Sequence, residues 1–117
     1  MQVQFTPNEL QVLADTLARH NSELIHEIAR TDHREFKHML QKKLELLMGL
    51  QGQLLRGEVD LSAEERDTLA EVLDRSESAL YFEIARTDHR QYKRILEKNL
   101  ELLERVHGKI TEACAAA

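Results

Sequence analysis

The chain has 117 residues, 42% hydrophobic and 32% charged, and its 16 basic and 21 acidic residues leave a formal net charge of −5. Four glycines, one proline and 4% aromatic residues are too few turn formers for a many-stranded sandwich or barrel. One cysteine, Cys114, excludes an internal disulfide framework and a cysteine-based zinc site.

The main feature along the chain is a repeat. Glu-Ile-Ala-Arg-Thr-Asp-His-Arg occurs at 27–34 and again at 83–90, an offset of 56. Aligned at that offset without gaps, residues 5–54 lie on 61–110, and close to half of the positions are identical. Many others are like for like, such as Phe36 with Tyr92 and Met39 with Ile95. This predicts one domain over 1–117 containing two units of the same fold, 5–56 and 61–112.

The first predicted helix begins at Thr6-Pro7-Asn8-Glu9, where Thr6 caps, Pro7 suits the first turn and Glu9 completes a capping box. Apolar residues follow at helical spacing: Leu10, Leu13, Leu17, Leu24 and Ile28. His20 interrupts this seam. Thr31-Asp32 is the expected break, with Asp32 as cap and Glu35 three residues later. A second stripe then runs through Phe36, Met39, Leu40, Leu44, Leu47, Leu50 and Leu54. Gly57 can end that helix in the left-handed conformation.

The second unit repeats these signals. Ser62 and Glu65 form the capping box, Leu69, Val72, Leu73, Leu80 and Ile84 the seam, with Ser76 in the place of His20. Asp88 with Gln91 marks the second break. The stripe beyond it is Tyr92, Ile95, Leu96, Leu100, Leu103, Val106 and Ile110. Residues 111–117 read as a frayed tail. The short 56–60 connection makes its flanking helices antiparallel neighbours. The expected fold is all-α, an up-down-up-down four-helix bundle of two tandem helical hairpins with both Thr-Asp turns at one end.

The repeated octapeptide supplies the candidate binding cluster. It comprises Glu27, Arg30, Asp32, His33 and Arg34, with Glu83, Arg86, Asp88, His89 and Arg90. Glu27 borders the apolar seam, so it requires an arginine, a metal or a hydrogen-bond network. The expectation is that the aspartates cap and that Glu27 and Glu83 pair with arginines across the turn. A metal set of Glu27, His33, Glu83 and His89 is the alternative, since all four residues repeat.

Three Glu-x-x-His pairs, Glu23-x-x-His26, Glu35-x-x-His38 and Glu104-x-x-His107, match the di-metal pattern of helical bundles. The other copy does not keep the first two, and His26 and His38 lie off the buried faces, so no di-metal site is expected. Charge is patterned as well: residues 61–83 carry a net −5, whereas 30–43 and 86–98 each carry +3. The basic starts of the second helices suggest an anion surface. Overall acidity and the lack of an aromatic stacking platform argue against nucleic acid. Neither a glycine-rich phosphate loop nor a Gly-x-Ser-x-Gly elbow occurs, so no catalytic residue is assigned. No cofactor motif is read.

No apolar run approaches the roughly 20 residues of a membrane span. Residues 1–8 lack a basic-then-apolar signal pattern, so a cytoplasmic location and no membrane partner are expected.

The pattern Glu-Ile-x-x-Thr-Asp-x-x-x-aromatic-Lys is carried by Glu27, Ile28, Thr31, Asp32, Phe36 and Lys37, and again by Glu83, Ile84, Thr87, Asp88, Tyr92 and Lys93. With its capped start and leucine-rich second helix, it resembles a group of short uncharacterised bacterial proteins made of a single helical hairpin. That resemblance implies a hairpin that dimerises to bury its face, here in tandem, and implies no activity or cofactor. The expected role is non-enzymatic: a protein-protein interaction or scaffold module with a protein or homo-oligomeric partner. The alternative is a metal- or anion-binding bundle using the turn-end cluster.

Overall fold

The computed structural model describes residues 2–57 and 59–116. Both capping boxes form. The Thr6 hydroxyl accepts the Glu9 N–H at 3.2 Å, and the Glu9 carboxylate accepts the Thr6 N–H at 2.8 Å. Ser62 and Glu65 repeat this at 3.1 and 2.9 Å. Helix α1 therefore starts at Pro7 and runs to Arg30, and α3 spans Ala63–Arg86. Helices α2, Arg34–Arg56, and α4, Arg90–Ala116, complete two hairpins.

Gly57 ends α2 at φ 77°, donating its N–H to the Leu54 carbonyl. The left-handed conformation is why glycine stands there. A two-residue antiparallel pairing, β1 (Gln2–Val3) with β2 (Val59–Asp60), ties the starts of α1 and α3 together. Residues 111–116, expected as a frayed tail, instead belong to α4, and Ala117 lies outside the described residues. Ile110, 1% exposed, anchors this last stretch of α4 in the core.

The turn between α1 and α2 needs no glycine because its ends stay extended. Thr31 has φ −89° and ψ 136°, and His33 φ −78° and ψ 110°. Asp32 does not cap α2: the cap position falls on His33, which makes no side-chain cap hydrogen bond. The carboxylate sits one residue too early to reach the free N–H groups of the first turn. Asp88 is displaced in the same way, since α4 opens at Arg90 with Lys93 donating to the His89 carbonyl. The threonines contribute a long contact instead. Thr31 and Thr87 hydroxyls accept from the His33 and His89 N–H groups, both at 3.4 Å.

Helices pack within hairpins, α1 on α2 and α3 on α4, and between them, α1 on α4 and α2 on α3. This is an all-α four-helix bundle. No helix among the described residues is long and apolar enough to cross a membrane. Its core is concentrated away from the turns, with Leu13, Leu17, Leu47, Val72, Leu73 and Val106 each fully buried. Toward the turns the seam opens. Ile28 and Ile84 are only partly buried, and Phe36, Met39, Tyr92 and Ile95, expected in the core stripe, are exposed by 39, 58, 45 and 57%. These apolar side chains therefore stay uncovered toward the turns. The molecule measures 44 × 36 × 25 Å.

His20 sits where α1 approaches α3, 9% exposed, and its Nε2 has no hydrogen-bond partner among the described residues. Burial, then the nearby Lys43, pushes its pKa below 6.5; Arg75 acts in the same direction, and Glu23 and Glu71 oppose it. A folded pKa below the unfolded one means that the unfolded chain takes up the proton first. Stability should therefore fall as pH drops below about 6.5. His20→Leu should stabilise the protein by about 1 kcal/mol at neutral pH, by removing an unpaired polar atom. Thermal melts at pH 7.5 and 5.5 check both points: the variant should melt higher and lose part of the pH dependence.

Candidate functional site

All ten residues of the sequence-derived cluster lie around the two turns and are exposed. Among the described residues, no hydrogen bond, ion pair or ring contact joins one turn to the other. The expected pairing of Glu27 and Glu83 with arginines across the turn is not formed either. Glu83 accepts the Tyr92 hydroxyl at 2.8 Å, and this bond raises the phenol's pKa. Phe36, the counterpart of Tyr92, has no hydroxyl to offer Glu27. Arg86 lies over the Phe82 ring, 5.1 Å from its centroid, rather than on a carboxylate.

What the turn halves do share is an apolar surface. Ile25 and Tyr81, Phe36 and Tyr92, and Met39 and Ile95 occupy equivalent positions of the two units. All six are exposed. Phe36 and Met39, and Tyr92 and Ile95, line two grooves built from equivalent residues. One lies between α2 and α3, has a volume of about 740 Å³, and is floored by Leu24, Phe36, Met39 and Leu40. The other lies between α4 and α1, about 480 Å³, with Leu80, Tyr92, Ile95 and Leu96 in the same places.

The grooves differ in charge. Glu27, Glu45, Glu64, Glu65 and Glu71 rim the first, against Lys42, Lys43 and Arg75. Lys43 is engaged with Glu71 at 3.0 Å, and that contact holds the Glu71 carboxyl below its usual pKa. Asp15 and Glu83 are balanced by Arg19 and Lys98 around the second.

Glu27, His33, Glu83 and His89 do not form a ligand-like group. Among the described residues, the histidine and carboxylate ligand atoms that lie within 4.8 Å of one another are those of Asp74, Glu77 and His107. Of the Glu-x-x-His pairs, His26 and His38 are exposed on the surface. Both members of the third pair contact α3 separately: Glu104 accepts the Tyr81 hydroxyl at 2.8 Å, and His107 bonds Glu77.

Sequence reasoning missed this trio because it spans two helices. One signal was present: its counterparts in the first unit, Ala18, Asn21 and Gln51, are all non-ligating. Phe36, Met39, Tyr92 and Ile95 were read as core because their spacing continues the core stripe. Periodicity gives the face of a helix and not what faces it. No protein-family model, curated protein or solved structure matches the chain, so the site rests on its own geometry.

Proposed function

We propose that the chain is a non-enzymatic interaction module whose partner is a second copy of itself, docked through the turn halves of the hairpins. One observation carries this reading: the large apolar residues at Ile25/Tyr81, Phe36/Tyr92 and Met39/Ile95 are exposed in both units. Single exposed apolar residues are ordinary, but large apolar residues exposed at three equivalent positions of both units support an interface.

Charge selects the second copy as occupant. The segments that carry Phe36 and Met39, and Tyr92 and Ile95, are basic, +3 over 30–43 and over 86–98. The α3 wall of the larger groove belongs to the acidic 61–83 segment, at −5. A two-fold arrangement sets the basic turn half of each copy over the acidic wall of the other, as a self-complementary interface requires.

Sedimentation velocity between about 1 and 100 µM tests this. The expected result is a concentration-dependent dimer that weakens as salt rises, because exposed charge pairs are screened. Met39→Glu combined with Ile95→Glu should yield a monomer with unchanged helicity, since both side chains are exposed in the single chain. A wild-type chain that remains monomeric at 100 µM, or a double variant that dimerises equally well, overturns the reading.

A further inference from the structure

We infer that the second hairpin carries a binding site for one divalent transition-metal ion of the zinc class, between Asp74 on one turn of α3, Glu77 on the same face, and His107 on α4. This site is separate from the turn-half surface and does not rest on its role. His107 Nδ1 lies 3.1 and 3.2 Å from the two Glu77 oxygens and 3.8 Å from Asp74 Oδ1. Ligand atoms about 2.0–2.2 Å from a tetrahedral zinc are themselves about 3.3–3.5 Å apart. His107 and Glu77 thus already stand near the spacing of a coordination edge, and Asp74 lies within 4.8 Å of both, so its exposed side chain closes the set by a small movement.

The donor set suits that ion: one imidazole nitrogen and two carboxylates, leaving a fourth position for water on the open side. His107 and Glu77 are partly shielded, their side chains 24 and 14% exposed, while Asp74 at 71% leaves a path for entry. The arrangement comes from α-helical spacing, since residues 74 and 77 are three apart and share a face.

A second, independent observation is the other hairpin. The position of His107 and Glu77 is filled there by Gln51 and Asn21, which hydrogen-bond at 2.6 Å. A neutral amide pair occupies this layer, with Asn21 Oδ1 left without a hydrogen-bond partner among the described residues, so holding the two helices together does not require a histidine and a carboxylate. All three positions differ together: Ala18, Asn21 and Gln51 in the first unit become Asp74, Glu77 and His107 in the second. The exchange replaces a single amide hydrogen bond with three neighbouring ligand atoms. Without metal, Nδ1–H donates to the Glu77 carboxylate; binding displaces that proton, so affinity should fall with acidification.

The amide pair also provides the control. Glu77→Asn with His107→Gln transplants the layer of the first hairpin into the second and should preserve the fold. Chelator-stripped chain carrying Cys114→Ser is titrated with Co²⁺, following absorption at about 500–650 nm, where low-coordinate cobalt absorbs strongly. The same samples are melted with and without Zn²⁺. One Co²⁺ per chain is expected, with a rise in Tm of about 5 °C in tenfold excess of Zn²⁺ over its Kd. Asp74→Ala should weaken binding about tenfold and the transplanted pair should abolish it, with circular dichroism unchanged. Metal binding by the transplanted variant as tight as by its parent, or no stoichiometric binding by the parent, overturns the assignment.

Discussion

Truncating Leu17 or Leu73 to alanine is expected to cost about 3 kcal/mol of folding stability each, whereas Met39→Ala and Ile95→Ala should each cost under about 1 kcal/mol. All four residues belong to apolar stripes with the same helical period. Leu17 and Leu73 are fully buried, so truncation leaves a cavity as well as losing transfer free energy. Met39 and Ile95 are 58 and 57% exposed, and there is no cavity to create. Urea unfolding at a concentration low enough to keep the chain monomeric measures the difference. Comparable losses at all four positions would mean that the turn halves are closed in solution and would remove the apolar surface from which the proposed interface is built. The contrast therefore tests the architecture before any partner is considered.

Loss of Lys109 should be the most damaging single change of a charged residue, about 2 kcal/mol for Lys109→Met at pH 7. Its ammonium donates to Glu9 Oε1 at 2.5 Å and to the Gln4 carbonyl at 3.1 Å, and it sits 5.7 Å from the centre of the Phe5 ring. Glu9 is 1% exposed and also completes the α1 capping box. Removing the lysine leaves a buried carboxylate with the Thr6 N–H as its remaining donor.

The pH dependence gives the sign. Burial alone would raise the Glu9 pKa, but the hydrogen bonds from Lys109 and Thr6 outweigh it and hold the group below 4.5. A depressed acid contributes stability that is present above its unfolded pKa and is lost as pH falls through the folded one. Wild-type stability should therefore fall on acidification below about pH 4.5, and this part of the loss should vanish in Lys109→Met. Adding Glu9→Gln to the variant should recover part of the deficit, because the unpaired charge is gone. Denaturation of the four chains at pH 7 and pH 4 gives the coupling directly. Equal pH dependence in wild type and Lys109→Met would show that the pair does not form.

The equivalent contact in the second unit is weaker in kind. Gln53 donates to Glu65 at 3.3 Å, a neutral donor on a half-buried carboxylate. Nothing in the individual helix patterns separates Lys109 from other surface lysines. It becomes special because the start of α1 is packed against the end of α4, a contact between residues 100 apart. Long-range polar contacts of this sort were absent from the sequence reading for that reason. Asn21 with Gln51 and Glu77 with His107, each 30 apart, were missed likewise.

Local physics was legible in the residues themselves. Thr6, Glu9, Ser62 and Glu65 specified two helix starts, because a capping box is satisfied within four residues. Gly57 specified a helix end, because its φ of 77° is one that glycine adopts without steric cost. The leucine spacing specified which face of each helix is apolar. Asp32 and Asp88 show the limit even locally. A cap is a matter of one residue's register, and the extended conformation of Thr31 and His33 moved the helix start beyond the carboxylate's reach.

By itself, then, the sequence determined four amphipathic helices, paired as two related hairpins, with their caps and their charge pattern. Only the tertiary structure decided how far along each apolar stripe another helix follows. Burial depends on what faces a surface, and Phe36, Met39, Tyr92 and Ile95 lie outside the core although they continue its stripe. The tertiary structure also decided that Glu27, His33, Glu83 and His89 form no ligand group, and that Asp74, Glu77 and His107 come together. Spacing along a chain fixes neighbours within one helix, whereas a binding site is fixed by the distance between helices.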